Sequence, residues 1–471
     1  MESTQNVIHA SLSRTLAGHV AADHQLTPAY RNWMQLLLLD YYAVTAGGAD
    51  RPSAHAARSS VGLTEHRDSL RGASIHGTRW WATADEAALI NGITAHGLEL
   101  DDTFEEASLH PAVVVFPAIL AIADTAGHRP DEVLTAAAVG YDVMCSVGVL
   151  LGAKESYGRG FHPTGVAGAL GAAAAVCSLL KLDENQTTHA LGLAANMASG
   201  SLEFLSDGSW TKRLNAGQAA ATGLRATRLA AAGFTAPDLA LEGRDGFLNQ
   251  YGQGWIEGRD LNFEFGRGAW DTSIKFYPCC RYMHGNIDLL RDIHREMPKL
   301  PLDQVDAIEV AVIAAGAALV SEPAERKLIV ETPVDAQFNM RFGAAVALTT
   351  GTATVDQFDQ APTLAKQLVP WLEKVHCYES EALEQAYPAS WQAEVRLKLV
   401  GGQVIERRSR AFRGSPRARA SREDIEMKAA GLVGSTAAQR LSDSIHTLDP
   451  HRPLAAQIVL PALFESEAVR G

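Results

Sequence analysis

Apolar residues at helical spacing fill the first half of this chain, and they limit the possible folds more than any other feature. From about residue 8 to residue 255, Ala- and Leu-rich segments such as 130–152 and 184–199 place apolar side chains at i, i+3 and i+4. Short Gly, Pro or Asp punctuation separates these segments. Because Ala and Gly let helices approach closely, we predict a compact all-α domain for this half.

The sequence pattern changes near residues 265–300. Residues 305–315 begin with alternating apolar and polar side chains, and residues 393–412 predict two strands joined by a Gly-Gly turn. Further on, Ser421 and Asp424 have the spacing of a helix N-cap. The prediction is a mainly α protein in three parts: a large all-helical domain (1–268), a smaller α+β lid domain (269–412) and C-terminal helices (413–471) that return to the helical domain.

Charge and cysteine content favour some settings and partners over others. The 471 residues include 41 Lys and Arg against 54 Asp and Glu, a net charge of −13, which argues against nucleic acid or an anionic membrane as a partner. Residues 1–20 lack a basic segment followed by an apolar one, so no secretory signal is predicted. Five cysteines, an odd number, favour a reducing cytoplasm over a disulfide framework. The most apolar run, 165–180, is short and Ala-rich, and we interpret it as a core helix.

The first candidate site is residues 96–110, HGLELDDTFEEASLH, a dense polar segment between two apolar, helix-like ones. Its five carboxylates are Glu99, Asp101, Asp102, Glu105 and Glu106. Such oxygens suit a hard cation, but the spacing is not that of an EF-hand, and the chain has no CxxC or HExxH motif for zinc. The competing interpretation is helix capping by Asp102 or Thr103. We expect Glu105 and Glu106 to be solvated.

Three further segments carry polar groups beside apolar helices. In GRGFHPTGVAGALG, His162 precedes a helix N-terminus, which attracts anions, although a histidine in a simple turn would look the same. In GSWTKRLNAGQAAATG, Lys212 begins a helical stretch and could equally lie on a solvated face. SIKFYPCCRYMHGNID collects a lysine, two thiols, an arginine, two tyrosines and a histidine around one proline. Cys279 and Cys280 are interpreted first as packing residues.

Taken together, the four segments supply acid/base groups and cations able to hold carboxylates. The acid/base candidates are Glu99, Asp101, His110 and His284, and the cations are His162, Lys212 and Lys275. No dinucleotide-binding glycine motif after a strand, no P-loop and no nucleophile elbow offers a competing chemistry.

The same four segments, in order, make the chain resemble the MmgE/PrpD family, which includes 2-methylcitrate dehydratases, cis-aconitate decarboxylases and iminodisuccinate epimerases. The matching stretches are HGLELDDT, GRGFHPTG, DGSWTKRLNAGQAA and KFYPCCRYMHGNID, with a weaker echo in TPVDAQFNMRFGAAVAL. The resemblance implies a helical domain with an α+β lid, a homodimer and no obligatory cofactor. It carries active-site roles onto Glu99, Thr103, His110, His162, Lys212 and Lys275.

Some positions depart from the family pattern. Glu99 stands where many relatives have Asp, one methylene shorter, and Phe342 stands where relatives often have a Tyr. Beside it, Arg341 replaces a Pro and is a candidate for gripping an extra carboxylate. The DWNDTW pattern associated with bacterial 2-methylcitrate dehydratases is absent, which lowers that assignment within the family.

The family's reactions share one physical requirement, because each passes through carbanion or enolate character beside a carboxylate. Preorganised cations spread the charge, and a histidine or carboxylate moves the proton. We expect one of Glu99 and Asp101 to stay protonated, since neighbouring carboxylates raise each other's pKa. The predicted catalytic set is Glu99, Asp101, Thr103 and His110. The predicted substrate-binding set is His162, Lys212, Lys275, Cys280, His284 and Arg341.

Three functional hypotheses follow from these residues and the resemblance. The first is a cofactor-free lyase acting on a small di- or tricarboxylic acid, as a cis-aconitate decarboxylase or a 2-methylcitrate dehydratase does. The second is an isomerase or epimerase of an amino- or imino-dicarboxylate that uses the same groups. The third is a non-catalytic scaffold that binds polycarboxylates, motivated by Glu99 and Phe342. A metal-dependent hydratase is the weakest alternative.

Overall fold

The computed structural model describes residues 11–68, 72–254 and 263–458. Residues 1–10 lie outside the described residues. They form the first half of the segment 1–20, in which the sequence predicts no secretory signal. The structure is 59% helical and 9% strand. This confirms a mainly α fold with a smaller α+β part.

Helices make up most of the first half of the chain. In order they are α1 (Leu12–Ala21), α2 (Pro28–Gly47), α3 (Pro52–Ser59), α4 (Ala84–Ala95), α5 (Ala112–Ala126), α6 (Pro130–Leu151), α7 (Ala153–Gly158), α8 (Pro163–Leu180), α9 (Glu184–Met197), α10 (Thr211–Ala231), α11 (Phe247–Tyr251) and α12 (Arg267–Trp270). Four two-residue strands interrupt them: β1 (Ala73–Ser74), β2 (Trp81–Ala82), β3 (Thr103–Phe104) and β4 (Thr272–Ser273).

Helix α8 is the centre of this half and packs against α5, α6, α9 and α10. Small residues make the crossings close: a Cβ on Gly223 of α10 would lie 2.4 Å from the Cβ of Ala172. Helices α6 and α8 are long and apolar enough to cross a membrane, but 83% and 89% of their most apolar windows are buried inside the protein. The prediction that 165–180 forms a core helix is therefore confirmed.

The second half contains a small sheet covered by helices. Its strands are β5 (Val305–Val312), β6 (Val375–Glu379), β7 (Ala393–Leu399) and β8 (Val404–Ser409). Its helices are α13 (His284–Glu296), α14 (Ala314–Val320), α15 (Pro333–Gln337), α16 (Met340–Thr350), α17 (Val355–Asp359), α18 (Ala361–Leu372) and α19 (Glu381–Ala386). The strand order is β6-β5-β7-β8, with β5 and β6 parallel and the other two pairs antiparallel. Both the strand at 305 and the Gly-Gly hairpin are confirmed.

The last two helices, α20 (Arg422–Val433) and α21 (Ser435–His446), pack against α2 of the helical half. Ser421 caps α20 and Asp424 completes the capping box, as the sequence predicted. A buried ion pair supports this packing, since Lys428 Nζ lies 2.6 Å from Asp40 of α2. The same ammonium donates a hydrogen bond to the carbonyl of Leu100 (2.8 Å), inside the polar segment 96–110.

Candidate active site

The polar segment 96–110, which we call the acidic loop, joins α4 to α5. Asp102 anchors its far end, because Oδ1 accepts a hydrogen bond from the amide of Ala112 at the start of α5 (3.0 Å) and Oδ2 accepts one from the phenol of Tyr141 (2.7 Å). The expected structural role of Asp102 is thus present in the structure. Glu99 adopts a left-handed backbone conformation with φ of 56°. A non-glycine residue at positive φ is uncommon and marks a tightly determined turn.

Pairing of β3 with β4 brings the acidic loop to the segment that carries Lys275. There, Lys275 Nζ donates to Glu99 Oε1 (3.0 Å) and to the Glu99 carbonyl (3.2 Å). The other carboxylate oxygen, Oε2, accepts a hydrogen bond from Lys212 at the start of α10. All three side chains are buried, so one carboxylate joins two ammonium groups in an ion triad enclosed by the protein. Sequence segments more than 100 residues apart meet at this triad.

Charge states in the loop differ from the sequence prediction. Burial would raise the pKa of Glu99, but Lys212 and Lys275 outweigh it and hold that pKa well below its usual range. The pKa of Asp101 is also well below its usual range, because its interactions with His96, His110 and Lys275, which include a hydrogen bond from His110, together outweigh the effect of burial. The prediction that one of these two stays protonated is wrong. The neutral acid is Asp102, whose pKa burial raises to about 8.

Two histidines share one oxygen of Asp101. His96 Nδ1 lies 3.0 Å and His110 Nδ1 lies 3.1 Å from Asp101 Oδ2. We call this arrangement the His-Asp-His cluster. His110 Nδ1 also lies 2.6 Å from the Asp102 carbonyl, so this nitrogen faces acceptors and carries the ring proton. Burial lowers the pKa of His96 to about 4 and lowers the pKa of His110, so both rings are neutral at pH 7.

The His-Asp-His cluster has the composition of a 2-His-1-carboxylate metal site, with its candidate ligand atoms within 4.8 Å of one another. A metal ion would have to displace the protons that now join both Nδ1 atoms to Oδ2. It would also add positive charge near Lys212 and Lys275, which already act on His96 and Asp101. The donor set therefore fits a hydrogen-bonded acid/base cluster better than a metal centre.

His162 is the N-cap residue of α8, where the sequence predicted it. Its Nδ1 lies 3.4 Å from the amide nitrogen of Asn215 on α10. Burial first, and then the charge of Lys212, hold the pKa of His162 well below its usual range. The expectation that His162 acts as a cation is therefore wrong for the free protein, in which it is a neutral imidazole. The acidic loop is tied to the same helix, since the His110 amide donates to Thr164 Oγ1 (3.1 Å).

One cavity, about 460 Å³ including solvent at its mouth, opens beside these groups. Six predicted site residues line it: Glu99, Thr103, His110, His162, Lys212 and Cys280. Ten other lining residues are Ser108, Tyr157, Leu202, Phe204, Leu205, Arg281, Tyr282, Leu319, Phe338 and Trp391.

The remaining predicted residues lie behind the cavity or away from it. Asp101 and Lys275 contact lining residues from behind. His284 is also buried, with Nδ1 3.3 Å from Arg281 and Nε2 3.3 Å from the Cys279 carbonyl. Arg341 is not brought to the site, because its guanidinium donates to the carbonyl of Leu372 on α18 (3.1 Å).

The structure agrees with some of the predictions for the two thiols and for Glu105 and Glu106, and it contradicts others. Cys279 is fully buried, which agrees with a packing role, whereas Cys280 lines the cavity. Burial raises the pKa of both thiols, so neither is a thiolate at neutral pH. Glu106 is exposed as expected, but the prediction that Glu105 is solvated is wrong. Glu105 pairs with Arg281 at 2.9 Å, and only 13% of its side chain is exposed.

Comparison with known proteins identifies the family. The model of the MmgE/PrpD N-terminal domain matches residues 15–257, and the model of the C-terminal domain matches residues 277–449. The chain belongs to the MmgE/PrpD family. Within this family it is similar to a cis-aconitate decarboxylase-like protein of Aspergillus oryzae, with 26% identity over 79% of this chain and 81% of that protein.

Two further MmgE/PrpD relatives carry a more definite name. A cis-aconitate decarboxylase of Aspergillus terreus is 27% identical over 68% of each chain. The human cis-aconitate decarboxylase is 28% identical over 73% of this chain and 71% of that protein. These similarities support an enzyme of the MmgE/PrpD family, with decarboxylases among its relatives.

Sequence reasoning missed several members of the site. His96 follows α4 as its C-cap residue, and only its five-residue spacing from Asp101 hinted that both would face one group. The aromatic residues of the cavity come from separate elements and carry no local motif. Among them, Tyr282 donates to or accepts from Ser108 Oγ at 2.8 Å, and Trp391 stacks on Tyr282 with ring centroids 4.4 Å apart.

Proposed function

We propose that this protein is a cofactor-free lyase that removes carbon dioxide from a small unsaturated di- or tricarboxylic acid. One observation carries the proposal: a buried carboxylate–lysine triad and two neutral histidines border the same cavity. The names of its relatives support decarboxylation as the reaction. A carbanion- or enolate-like intermediate accounts for the need for both cations and a proton donor.

Binding begins with an exchange of partners at Lys212. A substrate carboxylate that enters the cavity competes with Glu99 for this ammonium, while Lys275 keeps Glu99 in place from behind. The free-energy cost of this exchange is small, because Lys212 keeps a carboxylate partner throughout and its ammonium group is already in position. Fixed cations of this kind stabilise negative charge as it develops, often as the largest contribution to rate.

The proton is assigned to His110. Its Nδ1 is held by Asp101 and the Asp102 carbonyl, which leaves Nε2 as the reactive nitrogen. An anionic substrate raises the pKa of this imidazole, and Asp101 stabilises the imidazolium that results. When the bond to the leaving carboxylate breaks, its electron pair moves into the conjugated system. His110 then gives its proton to carbon and is reprotonated from solvent.

Proton NMR in D₂O tests the reaction on cis-aconitate, 2-methylcitrate, citrate and iminodisuccinate without added metal. We expect loss of carbon dioxide from cis-aconitate, the one unsaturated acid of the four. Loss of water instead would make the enzyme a hydro-lyase. Deuterium incorporation with no other change would replace the proposal with an isomerase, and inertness toward acids that nevertheless raise the melting temperature would favour the binding scaffold.

Site variants connect that turnover to the cavity. H110A and K212A should lose turnover while keeping wild-type circular dichroism. Matched controls are H451A and K154A, which remove the same groups from exposed positions and should leave turnover unchanged. Normal turnover in both site variants would reject the assignment. The same proposal includes a homodimer and a cytoplasmic location, which light scattering after gel filtration and cell fractionation can check.

A further inference from the structure

The turn at Glu99 in the acidic loop has an unusual set of backbone contacts. The carbonyls of Leu98, Glu99 and Leu100 are consecutive, and each accepts a hydrogen bond from a side chain. The donors are Gln337 Nε2 to Leu98 (3.3 Å), Lys275 Nζ to Glu99 (3.2 Å) and Lys428 Nζ to Leu100 (2.8 Å). Within residues 11–68, 72–254 and 263–458 no backbone amide reaches these carbonyls, so side chains replace secondary structure at this turn.

The three donors come from separate parts of the chain. Gln337 is the last residue of α15, Lys275 follows β4, and Lys428 lies on α20. Gln337 is itself held, because its carbonyl accepts a hydrogen bond from the amide of Cys280 (2.8 Å), and Lys428 is held by its ion pair with Asp40. Gln337 is 6% exposed and the Lys428 side chain is 4% exposed, so water competes little for either donor.

The leucines on either side of Glu99 anchor the same turn by apolar packing. The side chains of Leu98 and Leu100 are buried in a small cluster with Val44 of α2, whereas the Glu99 side chain lines the cavity. The left-handed conformation of Glu99 is unfavourable for a residue other than glycine and persists only where its surroundings determine it. The three carbonyl contacts and the two buried leucines provide those surroundings.

This turn sets the positions of two carboxylates that act on the site. Glu99 contacts the ammonium of Lys212, and Asp101, the residue after Leu100, holds the ring of His110. A buried carbonyl that loses its donor is costly, and the backbone shifts to find another partner. Such a shift between residues 98 and 100 would move both carboxylates, and with them Lys212 and His110.

We infer that Gln337 and Lys428 are positioning residues of this enzyme. Neither of these two described residues lines the cavity, and both act through the backbone of the acidic loop. They hold the turn from the second half of the chain and from the C-terminal helices, and through it they align Lys212 and His110. The inference rests on the proposed function for the roles of Lys212 and His110.

Two variants each remove one of the donors. Q337M replaces the amide with a thioether of similar length, and D40N/K428M removes the ammonium together with its buried partner, so that no charge is left unpaired. In the control D40N, Lys428 stays and can donate to Leu100 whether or not it is protonated. The second control, Q35M, removes a glutamine that donates to the Ile445 carbonyl (2.8 Å) between α2 and α21.

Steady-state kinetics well below the melting temperature of each variant measure the alignment. We expect kcat on cis-aconitate to fall by about tenfold or more in Q337M and in D40N/K428M, because small misplacements of reacting groups are costly in the transition state. KM should change by less than about threefold, and both controls should match wild type. A donor that only stabilised the fold would lower the melting temperature and leave kcat unchanged, which would overturn the inference.

Hydrogen–deuterium exchange followed by mass spectrometry tests the turn without turnover. In Q337M and in D40N/K428M, amides of residues 96–104 should exchange about tenfold faster or more, while those of 165–180 in the core helix α8 keep the wild-type rate. Unchanged exchange in 96–104 would overturn the inference. An equal increase in α8 would do the same, because the donors would then stabilise the whole fold. If D40N/K428M does not fold, Q337M decides alone.

The inference and the proposed function fail separately. Faster exchange confined to 96–104, with no turnover of any acid by the wild type, would keep Gln337 and Lys428 as the residues that hold the turn and would remove the proposed lyase. Decarboxylation by the wild type, with unchanged kcat and exchange in both donor variants, would keep the lyase and overturn the inference.

Discussion

The substitution E99Q removes the negative charge from the centre of the buried ion triad and tests how much that triad stabilises the fold. In E99Q, Lys275 (0% exposed) and Lys212 (8% exposed) would face an amide in place of a carboxylate. Removing one partner of a buried ion pair costs about 3–5 kcal/mol, because the remaining charge is left without compensation. The amide oxygen still accepts one hydrogen bond, and Lys212 can release its proton. We therefore expect the free energy of unfolding to fall by about 3–5 kcal/mol at pH 7.

The loss of unfolding free energy in E99Q relative to wild type should change with pH. The folded-state pKa of Glu99 is depressed, so its contribution is present above the unfolded value near 4.5 and is lost as the pH falls below it. At alkaline pH the deficit should also narrow, because burial lowers the pKa of Lys212 and, without Glu99, this amine deprotonates more easily. The difference between wild type and E99Q is thus largest near neutrality.

Urea unfolding followed by tryptophan fluorescence measures this difference. The matched control is E296Q, which removes a carboxylate that pairs with Arg407 at 2.6 Å where both side chains are more than one third exposed. An exposed pair of this kind contributes about 0–1 kcal/mol. If E99Q loses no more stability than E296Q does, the triad is not the buried electrostatic element described above. Added methylsuccinate should also stabilise E99Q more than wild type, since a ligand carboxylate can occupy the vacated position.

Three further predictions concern pH, metal and packing. Between about pH 4 and pH 8, Asp102 binds fewer protons in the unfolded chain than in the folded one. The free energy of unfolding of the wild type should therefore fall with rising pH relative to that of D102N. If urea unfolding gives a constant difference between the two proteins from pH 5 to pH 9, the pKa of about 8 is contradicted. Turnover should survive dialysis against a chelator, and activity restored only by a divalent ion would make the His-Asp-His cluster a metal site. G217A should lose about 1–3 kcal/mol, because its Cβ would lie 2.2 Å from the Leu89 carbonyl. G431A, with open space around it in α20, should gain up to about 1 kcal/mol, and equal melting temperatures for the two variants would refute the packing argument.

Local features of the sequence predicted well wherever a short-range rule operates. Helical periodicity, the hairpin at Gly401 and Gly402 and the cap at Ser421 depend on neighbouring residues, and the structure contains all three. The residue types of the site were also predictable, since six of the predicted residues line one cavity.

The charge states of the site residues and the distances between them were not predictable, because they depend on segments that lie far apart in the chain. Which carboxylate is protonated depends on lysines contributed by α10 and by the segment after β4, so the prediction for Glu99 and Asp101 was wrong. Arg341 was misjudged for the same reason, since its helix turns it toward α18. The apolar residues that line the cavity have no sequence signature, because they come from unrelated elements.

The contact between Lys428 and the acidic loop has a consequence for the order in which the protein becomes competent. The loop lies near position 100, yet one of its supports is a helix that the ribosome makes more than 300 residues later. Until that helix has been synthesised and has docked on α2, Asp40 lacks its buried partner and the Leu100 carbonyl lacks its donor. A nascent or truncated chain can therefore form most of its helical core while the site stays unfinished, so that activity appears only once synthesis is nearly complete.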